Sequence, residues 1–220
     1  LYLNIDNGYD AFSLDNTRTT LSDEPGFDRQ ETHAGSLKID WQGAGNFDLE
    51  AHLSALSADL DYGYDEDWAF DAICQVFECI FDGYTSFDRY TRNTDHTTWD
   101  LRAVSATTDN APNWVLGVYG KDQSQVLERV YTYASDFSSD YDTTNYALYG
   151  DFNLPLTAGW TLHTGLRYER FNANYDDSNL ARFDQDEDLS DGNGSLEYAW
   201  ANNGLLYALI SKGYKVGGIN

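Results

Sequence analysis

Alternation of apolar and polar side chains is the feature that most constrains what this chain can fold into. In residues 47–55, every second position is apolar, from Phe47 to Ala55, and the positions between carry Asp48, Glu50 and His52. The same period of two recurs at 35–41, around residue 100, at 146–154 and at 160–168. Because successive side chains of a β-strand point to opposite faces, these segments predict strands with one apolar and one polar face. Strands buried on both faces would be apolar throughout, so an antiparallel sheet is predicted.

The connections between the predicted strands alternate in length. Short turns are predicted at 43–46, 109–113, 155–159 and 201–204, and longer connections at 8–29, 61–92, 135–142 and 176–190. Short turns at one end and long loops at the other are typical of bacterial outer-membrane barrels, whose strands alternate between lipid and lumen. We therefore predict an all-β fold over residues 1–220. The expected architecture is an antiparallel transmembrane β-barrel segment of about nine strands, each of about 10–20 residues.

Aromatic residues recur beside the short turns. They are Trp41, Phe47, Trp114, Phe152, Trp160 and Trp200. Amphipathic rings at strand ends form the interfacial girdle of a membrane barrel, although they would also pack in the core of a soluble sandwich. No apolar run reaches the ~18 residues of a transmembrane helix, so any membrane crossing must use strands.

Charge and motifs exclude several classes of function. The net charge is −24, with 13 Lys and Arg against 37 Asp and Glu, so the chain lacks the basic surface that nucleic acid requires. No nucleophile elbow, HExxH or P-loop motif is present, and the four histidines have no metal-ligand spacing, so we predict neither an enzyme nor a metal protein. Two acidic clusters, at 59–71 and 184–191, offer a weak Ca²⁺ candidate without EF-hand spacing and are expected to be solvated loop charge.

The C-terminal run LYALISKGYKVGGIN resembles a barrel segment of TonB-dependent receptors of the iron-complex type. The matching positions are Ser211, Lys212, Gly213, Tyr214, Lys215, Gly217, Gly218 and Asn220. The opening run GYDAFSLDNTRTTLSDEPGFDRQETHAGSLKIDW and the run GLRYERFNANY resemble further barrel elements of that family; the latter matches at Gly165, Arg167, Tyr168 and Glu169.

The resemblance implies a fragment of a barrel of about 22 strands that is filled by a separate plug domain. Such a receptor would lie in the outer membrane of a Gram-negative bacterium, among its lipid and lipopolysaccharide. It would take up a scarce nutrient, an iron complex such as a ferric siderophore above all, with energy from TonB acting through the plug. The plug, the TonB box and the terminal strand are not in this sequence, so a middle portion of the barrel is expected. The alternatives are a passive porin or small adhesion barrel, and a soluble secreted carbohydrate-binding β-protein.

The long connection between Asp59 and Arg92 is the predicted ligand-contact region, because external loops carry recognition and aromatic rings pack against planar ligand groups. The candidate contacts are Tyr62, Tyr64, Trp68, Phe70, Phe77, Phe81 and Tyr84. The alternative is a loop whose rings pack only on one another. Cys74 and Cys79 would close a small disulfide loop there in an oxidising compartment and stay free thiols in a cytosolic one.

Charge also bears on the ligand and on the barrel interior. Acidic loops would repel an anionic ferric siderophore, so a cationic or neutral complex is expected to be easier to accommodate. The polar faces of the predicted strands are expected to point into the lumen, where their charged groups pair with one another. These residues are Lys38, His52, Asp100, Arg102, His163, Arg167 and Glu169.

Overall fold

The computed structural model describes residues 1–9, 20–42, 45–78, 83–106, 111–157, 159–200 and 204–217. Its elements are β1 (Tyr2–Tyr9), β2 (Gly26–Gln42), β3 (Phe47–Asp65), α1 (Ile73–Val76), β4 (Phe87–Ser105), β5 (Asn113–Tyr131), β6 (Phe137–Thr157), β7 (Trp160–Asp177), β8 (Arg182–Trp200) and β9 (Gly204–Lys212). The nine strands form one sheet in chain order, and every neighbouring pair is antiparallel. The predicted all-β antiparallel fold is confirmed, with α1 as a single helical turn. Among the described residues, no helix has the length and apolar character needed to cross a membrane.

The register of the strands gives the sheet two distinct faces. Leu53 pairs with Trp99, and Leu148 pairs with Tyr168, so apolar side chains of successive strands lie side by side on one face. That face, which we call the outer face, is well exposed, with Leu148 61% and Leu166 65% accessible. Its apolar band matches the surface that a membrane barrel presents to lipid.

The opposite face is concave and polar. On it, Tyr149 of β6 donates a hydrogen bond to Asp100 of β4 at 2.9 Å, and the Arg167 guanidinium of β7 lies 5.3 Å from the Tyr119 ring of β5. Each of these contacts joins two strands that are separated by a third. Side chains can reach across the intervening strand because they converge on the inner side of a curved sheet. We call this side the lumen face.

Strands β2 to β8 are longer than a membrane crossing requires. They have 17 to 21 residues, against about 9–11 for a tilted transmembrane strand. Along β6 the outer face is apolar from Tyr146 to Leu154, near the short turns, and polar from Ser138 to Thr144. The sheet therefore has a turn end, which carries the apolar band, and a loop end, which continues beyond it.

The strands end close to the predicted short connections at the turn end, although β6 continues through Pro155 to Thr157, so the turn predicted at 155–159 is shorter than expected. Between Thr157 and Trp160 the chain reverses through Gly159 at φ +82°, and a Cβ at that position would lie 2.3 Å from the carbonyl oxygen of Ala199. Only glycine fits a positive φ beside a backbone oxygen at that distance. The Ala199 N–H donates to the Gly159 carbonyl at 2.7 Å, which fastens this turn to β8.

The loop end corrects two predicted connections. The segment 176–190 is not a long loop, because β7 and β8 stay paired as far as Asp176 and Arg182. The segment 135–142 is also mostly strand, since β6 begins at Phe137. Salt bridges such as Arg170–Asp186, at 2.7 Å, lie on the outer face there, where water solvates both partners. The other two predicted connections are shorter than expected. The first lies between the end of β1 and the start of β2, at 10–25, and the second lies between β3 and β4, at 66–86.

Aromatic side chains border the apolar band at the turn end. Trp41, Trp160 and Trp200 are 51%, 39% and 49% exposed on the outer face. The Trp160 and Tyr198 rings lie 4.7 Å apart. This arrangement is that of an interfacial girdle.

Candidate functional site

A buried carboxylate organises the lumen face at the loop end. Asp88, at the start of β4, is only 1% exposed and accepts two hydrogen bonds from the Arg129 guanidinium at 2.8 and 2.7 Å. Tyr90 and Tyr64 donate to the same carboxylate at 3.0 and 3.3 Å. Burial alone would raise the pKa of Asp88, but the hydrogen bonds from Arg129, Tyr90 and Tyr64 outweigh burial and lower it. Asp88 is therefore a fixed negative charge that holds three strands together.

A second set of carboxylates closes the base of the loop at 66–86. Asp65 accepts a hydrogen bond from the Trp68 N–H at 3.1 Å, and Asp67 accepts one from the Ser86 N–H at 2.9 Å. The Ser86 hydroxyl, which is fully buried, donates to Glu66 at 2.6 Å. Burial and a hydrogen bond with Asp65 raise the pKa of Asp67. These contacts give the loop a defined point of departure from the barrel wall.

Neighbouring loops are fastened to this one. The Asp23 N–H donates to the Ala69 carbonyl at 2.9 Å, and the Thr85 hydroxyl donates to the Asp23 carboxylate at 3.1 Å. From the other side, the Tyr133 hydroxyl donates to the Thr85 carbonyl at 3.0 Å. The β1–β2, β3–β4 and β5–β6 connections therefore form one connected rim.

The predicted ligand-contact residues do not all lie in the loop. Tyr62 and Tyr64 belong to β3, so their placement in a loop was wrong; β3 continues to Asp65 because its alternation persists. Both face the lumen, with ring centroids 5.7 Å apart. Four further candidate contacts lie in the connection 66–86 between β3 and β4: Trp68, Phe70, Phe77 and Tyr84. Phe81 lies outside the described residues.

The predicted disulfide has one described member. Cys74 lies in α1, and Cys79 is outside the described residues, so their bond stays a prediction. Among the described residues no group of three or more Asp, Glu, His and Cys is arranged to hold a metal ion. The weak Ca²⁺ candidate stays untested.

The lumen face has a cavity of about 350 Å³ just below the rim. It is lined by Asp28, Leu60, Tyr62, Tyr90, Arg92 and Leu127. The Tyr62 and Tyr90 rings lie 6.5 Å apart on neighbouring strands. Of these residues the sequence singled out only Tyr62 as a ligand contact. Extending the predicted strand 47–55 to Tyr62 would have placed Leu60 and Tyr62 together on its lumen-facing side.

Nearer the turn end, the predicted lumen residues are held by polar partners. Arg102 pairs with Glu50 at 2.7 Å, and His163 lies 3.2 Å from Glu197. The remaining ones have these partners: Lys38 with Asp40, His52 with Glu50, Asp100 with Tyr149, and Arg167 with Glu169. Mutual pairing of the predicted residues is confirmed for Arg167 with Glu169 and for Arg102 with His52, whose nitrogen atoms lie 3.4 Å apart. The remaining predicted residues pair with residues that the prediction did not name.

The SKGYKVGG element begins on the last strand and leaves the sheet. Ser211 and Lys212 end β9, whereas Gly213, Lys215 and Gly217 follow it outside the ladder. The Tyr214 hydroxyl donates to the buried Glu169 of β7 at 2.8 Å, so the segment folds back across β8 onto the lumen face. Gly218 and Asn220 lie outside the described residues.

The fold and the two faces define a segment of an outer-membrane-type barrel wall. The family model for the β-barrel of TonB-dependent receptor-like proteins matches residues 2–220. The chain therefore belongs to the TonB-dependent receptor β-barrel family, whose members are transporters and not enzymes.

Solved structures with the same fold are known. The ferric yersiniabactin uptake receptor FyuA from Yersinia pestis matches with a TM-score of 0.66 and 14% identity, over 84% of this chain and 28% of that one. The siderophore receptor PiuA from Acinetobacter baumannii matches with a TM-score of 0.55 and 14% identity, over 84% of this chain and 32% of that one. The ferric-catecholate import receptor Fiu from E. coli K12 matches with a TM-score of 0.56 and 12% identity, over 86% of this chain and 33% of that one.

The chain thus spans about a third or less of these structures, and identities this low establish the fold alone. A comparison with curated proteins found no match.

Proposed function

We propose that this chain is the wall segment of an outer-membrane receptor that takes up an iron complex, most simply a ferric siderophore, with energy from TonB. The observation that carries the proposal is the cavity under the rim, where two tyrosine rings and an arginine side chain face the lumen. Tyrosine rings offer flat, partly polar surfaces for the planar donor groups of an iron chelator. The solved receptors of like fold are named for ferric siderophores and a ferric catecholate.

The location of the cavity fits capture from outside the cell. In barrels of this type the long loops are extracellular and the short turns are periplasmic. The cavity lies at the loop end, below a rim of three connected loops, so a ligand that arrives from outside meets it first. In the proposed receptor the wall only binds and positions the ligand, and a plug domain coupled to TonB provides the energy for release inward.

Two alternatives make different predictions. A passive porin or adhesion barrel would not need an aromatic cavity at its mouth or an energy source. A soluble carbohydrate-binding protein would not have a continuous apolar outer face bordered by tryptophans. Family membership favours the receptor over both.

The test is uptake of radioactive iron by cells that produce the full-length protein and lack their own iron-complex receptors. Ferric citrate, a ferric catecholate and a ferric hydroxamate serve as probes, in hosts with and without TonB. We expect one class of complex to be taken up only when TonB is present. Equal entry of all complexes without TonB would identify a porin, and uptake of none would refute the proposal for iron.

A further inference from the structure

Two carboxyl groups meet at the base of the β3–β4 connection. Asp65, the last residue of β3, is only 3% exposed, and Asp67 is hydrogen-bonded to it. One oxygen of each group accepts a backbone N–H: Trp68 donates to Asp65 Oδ1 at 3.1 Å, and Ser86 donates to Asp67 Oδ1 at 2.9 Å. The other oxygen of each group, Oδ2, is buried and receives no hydrogen bond from the described residues.

No positive charge compensates this pair. In the described part of the chain, no ion pair includes Asp65, Glu66 or Asp67. The guanidinium of Arg129, on the neighbouring β5, is bound to Asp88. An ionised carboxylate has no hydrogen to donate, so two carboxyl groups form a hydrogen bond only when one of them holds a proton. Two carboxylates side by side also repel each other, which favours one protonated group.

The groups that face the pair include more acids than bases. Glu66 accepts hydrogen bonds from the Ser86 hydroxyl at 2.6 Å and from the Tyr131 hydroxyl at 3.5 Å. The charge of Glu66, together with burial, raises the pKa of Tyr84, and partial burial with the charge of Glu66 raises the pKa of Tyr131. The surrounding titratable and charged groups are Asp23 of the β1–β2 connection, Glu66 and Tyr84 of the β3–β4 connection, Asp88 of β4, Arg129 and Tyr131 of β5, and Tyr133 after β5.

A shared proton stabilises the base of the connection only while it is bound. Burial and the hydrogen bond with Asp65 raise the pKa of Asp67. A carboxyl group whose pKa is higher in the closed state stabilises that state fully below its solvated value of about 3.9, and the contribution is lost as pH rises through the closed-state value. Asp88 has a lowered pKa and stays ionised in that range, so the two groups depend on pH in opposite directions.

We propose that Asp65 and Asp67 share one proton across their buried oxygens, and that this proton closes the base of the β3–β4 connection, so that the rim loosens as the surroundings become less acidic. When the proton leaves, the two carboxylates separate and release the backbone N–H groups that they hold. Neighbouring connections are fastened to this one at Ala69 and Thr85, so the release extends to the whole rim. The inference rests on the proposed function and concerns regulation of the cavity under the rim.

The experiment measures opening of the base by hydrogen exchange of the full-length receptor between pH 5 and 9. Exchange rates of peptides that cover 64–70 and 84–88 are divided by the intrinsic rate at each pH to give protection. Asp67→Asn is the decisive variant, because its amide keeps the oxygen that binds Ser86 and donates an N–H to Asp65 where the shared proton would lie. Asp71→Asn is the matched control, since it removes the same charge from an exposed residue of the same connection. Heat-modifiable mobility in SDS gels verifies that each variant folds.

In the unaltered receptor, we expect protection of both peptides to fall as pH rises, by up to about tenfold per pH unit while the pair loses its proton. Asp67→Asn and Asp65→Asn should each keep, at pH 9, the protection that the unaltered receptor has at pH 5. The double variant should lose protection at every pH, because two amide N–H groups then face each other without an acceptor. Asp71→Asn should follow the unaltered receptor.

A second measurement links the base to the ligand. Ferric citrate, a ferric catecholate and a ferric hydroxamate are the probes, and dissociation is measured for each complex that the receptor binds. Dissociation from the unaltered receptor should be faster than from Asp67→Asn at pH 8 and equal at pH 5. Equal dissociation from both at pH 8 would show that the base does not regulate the cavity, and would overturn the inference.

The inference is also overturned if protection does not change between pH 5 and 9, or if Asp67→Asn and Asp71→Asn give the same profile. Protection that increases with pH when Ca²⁺ is present, and is lost with EDTA, would identify a bound cation in place of the shared proton. The exchange measurement needs no transported ligand. Failure of the shared proton is therefore distinguishable from failure of the proposed function, which the uptake of iron tests.

Discussion

Replacement of Asp88 by asparagine is predicted to loosen the loop end of strands β3 to β5. The carboxylate side chain is 2% exposed, and it binds Arg129 through two hydrogen bonds and two tyrosine hydroxyls through two more. Removal of one partner of a buried ion pair costs about 3–5 kcal/mol. The Arg129 side chain is 37% exposed and can turn toward water, so we expect the lower end, about 3 kcal/mol.

The assay is hydrogen exchange of the full-length receptor, read in peptides that cover 60–66, 87–92 and 127–133. A cost of about 3 kcal/mol corresponds to an exchange rate more than a hundredfold faster in these peptides, because each 1.36 kcal/mol is a factor of ten. Asp61→Asn is the matched control, because Asp61 also binds an arginine, Arg89, through two hydrogen bonds. This pair is exposed to solvent, with 47% of the Arg89 side chain and 26% of the Asp61 side chain accessible. Exposed pairs contribute about 0–1 kcal/mol, so a change below about fivefold is expected. Equal effects of the two substitutions would refute the argument from burial.

The dependence of the Asp88 effect on pH follows from its lowered pKa. A carboxyl group whose pKa is lower in the folded state stabilises that state above its unfolded pKa of about 3.9, and the contribution is lost as pH falls through the folded value. The difference between the unaltered receptor and Asp88→Asn is therefore expected to be constant from neutral pH to about 5 and to vanish at lower pH. A difference that already declines between neutral pH and 5 would contradict this.

Two further substitutions test the turn end and the segment after β9. Gly159→Ala places a Cβ 2.3 Å from the Ala199 oxygen at φ +82°. We therefore expect the free energy of unfolding in urea to fall by about 1–3 kcal/mol. Gly35→Ala is the control and should change this free energy little, because nothing lies within 4 Å of the added Cβ. Equal unfolding midpoints would contradict it. Tyr214→Phe removes the 2.8 Å hydrogen bond to Glu169, which contributes about 1 kcal/mol. Proteolysis of the segment after β9 is therefore expected to become about fivefold faster. Unchanged cleavage would show that this hydrogen bond does not hold the segment on the lumen face.

The apolar band was predictable from sequence because lipid on one side and polar surroundings on the other impose a strict period of two. Leu49, Leu53 and Leu101 all fall on the outer face, as their alternation predicts. The short turn after β6 was predictable from Gly159, because a tight reversal between paired strands needs a residue that adopts positive φ. Pro155, which was also assigned to that turn, lies in β6 instead.

The parts of the strands beyond the membrane were not predictable in the same way. At Asp184, Asp186 and Asp188 both faces of β8 meet water, so the outer face need not be apolar and the alternation disappears, although the backbone stays paired with β7. In β3 the alternation persists as far as Tyr64 but its phase is reversed, with Tyr62 and Tyr64 on the lumen face and Asp61 on the outer face, so these residues did not continue the pattern of 47–55. The cavity around Arg92 depends on register across four strands, which no local pattern specifies.

The alternation of lipid-facing and lumen-facing side chains along β6 is the claim on which the proposed function most directly depends, because it decides which side chains a ligand in the barrel can meet. It is tested most directly by spin labels at Leu148 and Tyr149 of the full-length receptor in bilayers, in a Cys74→Ser/Cys79→Ser background. We expect a label at 148 to be reached by oxygen dissolved in the lipid and a label at 149 to be reached by a water-soluble nickel chelate, although the two positions are adjacent. Equal accessibility of both labels to the nickel chelate would contradict it.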